Sequence, residues 1–292
     1  MKKEIFTGVC TALVTPFKKN GKIDYDALEK LILRQIDNKV NAILILGSTG
    51  EGSTILEKER KKIIKFARAL INPPTKLFVG TGCNNTIIAT KYTLQAESLG
   101  ADGVLIVTPY YNKCNQKGAF LHYEYIAKKT HLPIILYNVP SRTGFNLSVE
   151  TVSKLTKIKN IVGIKEANED LEHIDELTRQ VGDKIAIYSG NDSLNRYFLT
   201  HKASGMVSVL SNVYPDKLIQ QYESLQNERL IGAEDELLNF SKALFIDVNP
   251  MPVKYVLFKM GLIKYNYRLP LTKLDTKDEI RLDKIFNLNK MK

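Results

Sequence analysis

The chain has 292 residues, 44% of them hydrophobic and 25% charged, and a net charge of +11. That balance suits a globular protein and excludes a disordered or fibrous one, and the length accommodates one large α/β domain with a small appendage. No run of about eighteen apolar residues occurs, so no membrane span is expected.

Met1-Lys2-Lys3 begins like a signal peptide. Gly8, Thr11 and Thr15-Pro16 then break the apolar run, and no small-residue cleavage site follows. Cys10, Cys83 and Cys114 are odd in number and lack CxxC spacing, which reads as reduced thiols of a cytoplasmic protein. The densest basic segment, Lys58-Glu59-Arg60-Lys61-Lys62, carries an acid within it and falls on the polar face of a helix. It has no nucleic-acid motif beside it and no interleaved aromatics, so it reads as a solvated face, with no nucleic-acid partner expected.

Short apolar, β-rich runs recur at Val9–Val14, Ala42–Leu46, Leu77–Val79, Gly103–Val107, Ile134–Tyr137, Ile161–Ile164, Ile185–Tyr188 and Met206–Leu210. Segments of helical period lie between them. Leu28, Leu31, Ile32 and Ile36 form one stripe behind a candidate N-cap, Asp24. Ile63, Phe66, Ala67 and Leu70 form the next, and Leu171, Ile174, Thr178 and Val181 a later one. Doubly buried strands alternating with helices require a parallel sheet with crossover connections. Eight such units over roughly 220 residues fit a (β/α)8 TIM barrel. A doubly wound open sheet is the other arrangement of such units, but no G-x-G-x-x-G follows the first strand. After about Leu225 the strands stop, and Glu234–Phe245, Pro252–Met260 and Lys277–Asn287 read as helices. The expected organisation is a barrel over 1–225 and a small helical region over 226–292.

Chemistry in such a barrel sits at the C-terminal ends of the strands. The stretch Ile161-Val162-Gly163-Ile164-Lys165-Glu166-Ala167 ends a buried strand on a lysine. Desolvation there disfavours the charged ammonium, the usual way an amine is made nucleophilic toward a ketone. After the second strand comes Gly47-Ser48-Thr49-Gly50-Glu51, with hydroxyls and free N–H groups suited to a carboxylate or phosphate. Thr108-Pro109-Tyr110-Tyr111-Asn112 follows the fourth strand, Tyr137 to Gly144 the fifth, and Ser189-Gly190-Asn191-Asp192 the seventh. An amine, phenols, an anion cradle and a guanidinium at one mouth suit carbon–carbon bond chemistry on small keto acids.

These blocks, together with Gly8–Phe17, Gly205–Val209, Asn249–Lys254 and Arg268–Leu271, run through nearly the whole chain. In that order the chain resembles the dihydrodipicolinate synthase (4-hydroxy-tetrahydrodipicolinate synthase) family, pyruvate-dependent class I aldolases that include N-acetylneuraminate lyase. The resemblance implies that Lys165 forms a Schiff base with pyruvate and that Tyr137 shuttles protons, relayed by Thr49 and Tyr111. It implies that a neighbouring subunit lends Tyr111, so that the active form is a homotetramer, a dimer of dimers. Ser48 and Thr49 would hold the pyruvate carboxylate, Gly190 and Val207 would line its pocket, and Arg142 would bind the carboxylate of L-aspartate 4-semialdehyde. No metal or organic cofactor is implied. His122, His131, His173 and His201 show no ligand spacing.

Two departures bear on function. The synthases usually have Thr-Thr where this chain has Ser48-Thr49, as the lyases do, whereas Tyr137 to Gly144 reads YNVPSRTG, the synthase form. Lysine-inhibited members carry an acid where Ile88 stands and a histidine where Glu57 stands, while Asn84 and Tyr110 are kept; weak or absent feedback by lysine is expected. The expected activity is therefore the synthase reaction. Another pyruvate aldolase such as N-acetylneuraminate lyase is the nearest alternative, and a non-catalytic nucleic-acid-binding barrel a remote one.

Overall fold

The eight apolar runs become eight parallel strands in a computed structural model that describes residues 2–227 and 234–288. They are β1 (Gly8–Ala12), β2 (Ala42–Ile45), β3 (Lys76–Gly80), β4 (Gly103–Val107), β5 (Ile134–Asn138), β6 (Ile161–Glu166), β7 (Ala186–Ser189) and β8 (Gly205–Ser208). They pair in sequence order, and β8 returns to β1 with Gly8 opposite Gly205 and Cys10 opposite Val207, closing a barrel. Closure leaves no sheet edge to satisfy.

Helices alternate with the strands: α1 (Tyr25–Asp37), α2 (Glu57–Leu70), α3 (Thr86–Ser98), α4 (Gln116–Ala127), α5 (Pro140–Thr143), α6 (Val149–Leu155), α7 (Leu171–Val181), α8 (Asn195–Thr200) and α9 (Pro215–Gln226). Several starts are chemically fixed. Asn85 accepts from the N–H groups of Ile87 and Ile88 at the head of α3, and Asp170 from those of Glu172 and His173 at the head of α7. Asp24 does precede α1, but its side chain makes no capping bond.

Because side chains alternate across a strand, the barrel has two cores. Val9, Ile43, Val79, Ile106, Ile164 and Met206 face outward into the helices. Cys10, Leu44, Phe78, Leu105, Ile135, Tyr188 and Val207 face inward. Each such fully buried aliphatic side chain contributes about 1.5–3 kcal/mol. The N-terminal end of the barrel is plugged by Phe6, which stacks on Tyr188 at 4.3 Å and meets Phe78 edge-on at 5.5 Å. Burial pushes the inward Cys10 thiol up to about 12, so it stays protonated.

Some boundaries differ from the apolar runs. Leu46 sits at φ 59°, where the chain turns out of the barrel, and Leu210 lies in a short 3-10 turn after β8. In α7 the inner face is Ile174, Leu177 and Val181, whereas Leu171 is 42% exposed.

Beyond the barrel come α10 (Glu234–Ala243), α11 (Met251–Lys259) and α12 (Thr276–Ile285). Helix α11 is buried from Met251 through Leu257. Phe240 of α10 stacks on Phe286 at 4.7 Å and meets Tyr214 at 5.0 Å, which seats these helices on the start of α9. Of the region expected to be helical, 228–233 and 289–292 lie outside the described residues. Among the described residues no helix is long and apolar enough to cross a membrane.

Candidate active site

Lys165 is the penultimate residue of β6, and its side chain points into the barrel, 5% exposed. Register places it opposite Tyr137 on β5 and Tyr188 on β7. Its Nζ lies 4.3 Å from the centre of the Tyr137 ring. Gly190 makes room for it, since a Cβ there would stand 2.8 Å from the Glu166 carbonyl and 3.0 Å from Lys165 Cε. Only glycine lets the lysine pass.

The next residue points the other way. Glu166, fully buried on the outer face, accepts from Asn138 Nδ2 at 3.0 Å on both oxygens and from the Asn168 N–H at 2.7 Å. His173 Nε2 lies 3.3 Å from the same carboxylate. That hydrogen bond holds the His173 imidazolium above the usual histidine range. The cluster ties the ends of β5 and β6 together from behind, and so fixes the spacing of Tyr137 and Lys165.

An open cavity of about 960 Å³ lies above the lysine, lined by Ser48, Thr49, Tyr137, Arg142, Lys165 and Gly190. Six of the eight residues singled out from the sequence thus meet in one place. Tyr111 does not join them: it is 90% exposed, sits at φ 68° and lines no part of this cavity. Val207 is buried in the inner wall of the barrel, and Val209, two residues later, lines the cavity instead. The Asp192 carboxylate holds Val209 there by accepting from the N–H groups of Val209 and Leu210 at 2.8 and 2.9 Å. Among the described residues no hydrogen bond joins Thr49 to Tyr137.

The loop carrying Ser48 and Thr49 is anchored from the C-terminal region. Asn249 Nδ2 donates to Thr49 Oγ1 at 3.0 Å, and the Asn249 carbonyl accepts from Arg142 Nη2 at 3.2 Å. Two residues past Thr49, Glu51 at φ 52° pairs with Lys254 of α11 at 2.5 Å, both side chains wholly buried. Burial pushes the Glu51 carboxyl up and the Lys254 ammonium down, each opposed by the charge of the other. The Lys254 ammonium also lies over the rings of Phe17 and Tyr267, at 4.5 and 4.7 Å. Arg268 grips Glu59 with two bonds, 2.7 and 2.6 Å long, close by.

Lys242, Asp247 and Asn249 line the cavity, and none was picked out from the sequence as a site residue. The one available signal was the block Asn249–Lys254, which helps carry the family resemblance but was given no role at the site. Among the described residues no three His, Cys, Asp or Glu side chains gather as a metal-binding group.

Comparison with known proteins agrees along nearly the whole chain. The family model described as the dihydrodipicolinate synthetase family matches residues 5–288. A 4-hydroxy-tetrahydrodipicolinate synthase of Fervidobacterium nodosum is 44% identical over 272 residues, covering 91% of this chain and 92% of that one. The crystal structure of dihydrodipicolinate synthase from Thermotoga maritima superposes with a TM-score of 0.93 at 40% identity, covering 99% of this chain and 100% of the other. That of the chloride-inhibited enzyme from Acinetobacter baumannii, complexed with pyruvate, does so with a TM-score of 0.91 at 37% identity, covering 99% and 100%. Barrel, cavity and sequence agree: this chain belongs to the dihydrodipicolinate synthetase family.

Proposed function

We propose that the chain is a lyase of class I aldolase type, condensing pyruvate with L-aspartate 4-semialdehyde as the 4-hydroxy-tetrahydrodipicolinate synthases do. The observation that carries this is the buried Lys165 amine above the Tyr137 ring, in a cavity that also holds Thr49 and Arg142. In this reading Lys165 adds to the ketone carbon of pyruvate, and loss of water gives an imine. The imine draws electrons from the methyl group, which loses a proton to become an enamine carbon. That carbon attacks the aldehyde, and closure of the substrate amine onto the former ketone carbon releases Lys165.

Tyr137 is assigned the proton transfers at the carbinolamine and enamine stages, with Thr49 as its relay partner. Ser48 and Thr49 receive the pyruvate carboxylate, Gly190 and Val207 stand in the wall around it, and Arg142 at the rim takes the carboxylate of the aldehyde substrate. Tyr111, which is exposed and lines no part of its own cavity, is assigned to the cavity of a second copy, which makes the working form an oligomer, a homotetramer built as a dimer of dimers. A cytoplasmic location and a role in lysine and diaminopimelate biosynthesis belong to the same reading.

The test is pyruvate consumption with L-aspartate 4-semialdehyde in one reaction and N-acetylmannosamine in the other. Consumption with the semialdehyde alone is expected. Consumption with the amino sugar alone would make Ser48 the informative residue and transfer the assignment to the lyases.

A further inference from the structure

The second substrate assigned above carries a charge that Arg142 leaves unanswered. L-Aspartate 4-semialdehyde has an α-ammonium on the same carbon as its α-carboxylate, and a guanidinium takes only the carboxylate. Drawing an ammonium out of water without a counter-charge is costly. Two carboxylates line the cavity, those of Glu169 and Asp247. Among the described residues neither is in an ion pair, and nor is Lys242 on the same rim.

Their surroundings separate the two. Glu169 is exposed, and its Oε1 accepts from Asn191 Nδ2 at 3.4 Å, where the loops after β6 and β7 meet. Asp247 is half-buried, and its Oδ1 accepts from the Val248 N–H at 2.6 Å, which holds the carboxylate against its own backbone. Asp247, Val248 and Asn249 line the cavity in succession, and the Asn249 carbonyl accepts from Arg142 Nη2 at 3.2 Å. Two residues of chain span about 7 Å at most, so Asp247 stands on the wall that Arg142 touches. A guanidinium and a carboxylate along one wall match the paired charges of an α-amino acid.

Resting on the reading of that semialdehyde as second substrate, we infer that Asp247 recognises its ammonium and so selects an amino aldehyde over an aldehyde without nitrogen. Arg142 and Asp247 then make one grip, each on one charge. Two points of attachment also orient the molecule, whereas one leaves it free to turn.

Succinate semialdehyde is the probe, being the same chain with hydrogen in place of the ammonium. Its competitive inhibition constant and the KM for L-aspartate 4-semialdehyde are measured at saturating pyruvate, on wild type and on Asp247→Asn. The amide keeps the shape and loses the charge. The KM is expected to rise about tenfold, the value of a charge-assisted bond, while the inhibition constant does not rise. Borohydride trapping of pyruvate on Lys165 should persist.

Removing any negative charge from the mouth also changes the field, and a zwitterion and an anion feel that change differently. Glu169→Gln measures this effect, because it takes the same charge from the same cavity away from the wall beside Arg142. The ratio of the two constants should shift in D247N and stay near the wild-type value in E169Q. An equal shift in both variants, an equal rise of both constants in D247N, or an unchanged KM would overturn the inference. Should D247N fail to trap pyruvate, Asp247→Ser repeats the comparison, and loss of trapping there as well makes the residue structural and overturns the inference. A wild-type enzyme that consumes no semialdehyde brings down the earlier reading and this inference with it; one that consumes it, with KM unchanged in D247N, brings down this inference alone.

Discussion

Lys165 and Tyr137 hold the same register position on neighbouring strands, and the ammonium rests 4.3 Å from the centre of the phenol ring. The ring face attracts the cation, and the residue also lines the cavity above it. Tyr137→Phe keeps the ring and removes only the hydroxyl. Turnover is expected to fall about a hundredfold, with imine trapping slowed but still complete. Lys165→Ala should abolish trapping altogether, and a retained borohydride adduct with pyruvate would exclude the lysine as nucleophile.

Arg142 is exposed at the rim and holds one backbone carbonyl, that of Asn249. Its loss therefore costs little fold and much recognition. Arg142→Ala should raise KM for the semialdehyde about 10- to 100-fold, the value of a charge-assisted bond, while pyruvate trapping stays near normal. Equal loss of both would show that the guanidinium holds the cavity rather than the second substrate.

The Glu51–Lys254 pair is wholly buried, so breaking it leaves one charge without a partner. Glu51→Gln should cost about 3–5 kcal/mol and lower the melting temperature by on the order of 10 °C. Replacing both residues by apolar ones of similar volume should recover much of that stability. Activity should not recover with it, since the Ser48–Thr49 loop loses its anchor. Melting curves and pyruvate KM on the single and double variants check both statements.

Two histidines predict opposite pH effects on stability. The bond to Glu166 raises His173 above its ordinary value of 6.5, so its contribution is complete below that pH and is lost as pH rises through the raised folded value. Burial lowers His122 to about 4, and its Nε2 has no partner among the described residues. Stability present above pH 6.5 is therefore lost as pH falls toward about 4, by about 3 kcal/mol in all. Denaturant midpoints across pH should lose their alkaline decline in His173→Gln and part of their acid decline in His122→Asn.

Lysine should not inhibit. Glu57 is engaged on the surface with Lys91 at 2.8 Å, and Ile88 offers no charge to an ammonium. Assays in millimolar lysine should match those without it, and strong inhibition would refute the argument.

How legible the molecule was depended on how local each signal is. Strand alternation and helical period are written within a dozen residues, and they led to the barrel. Lys165 was visible because a charge ends an apolar strand, and Ser48–Thr49 because hydroxyls follow one. Asn249 was invisible as a site residue because its meaning lies in a contact 200 positions away with Thr49. The Glu51–Lys254 pair spans 203 positions and was hidden for the same reason. Leu46 looks like one more apolar strand residue, and only its φ of 59° shows that the strand has ended. Val207 and Val209 share a composition, and register alone distinguishes the wall from the lining.

The aromatic plug of Phe6, Tyr188 and Phe78 makes the barrel a blind well. With that end filled, Lys165 is approached from the cavity at the C-terminal ends of the strands. A molecule bonded at the floor is therefore covered by whatever arrives next, and cannot be exchanged until the upper occupant departs or the two are joined. On the proposed reading, that shape sets the loading order: the ketone first, the aldehyde above it, and a product that leaves only as a whole.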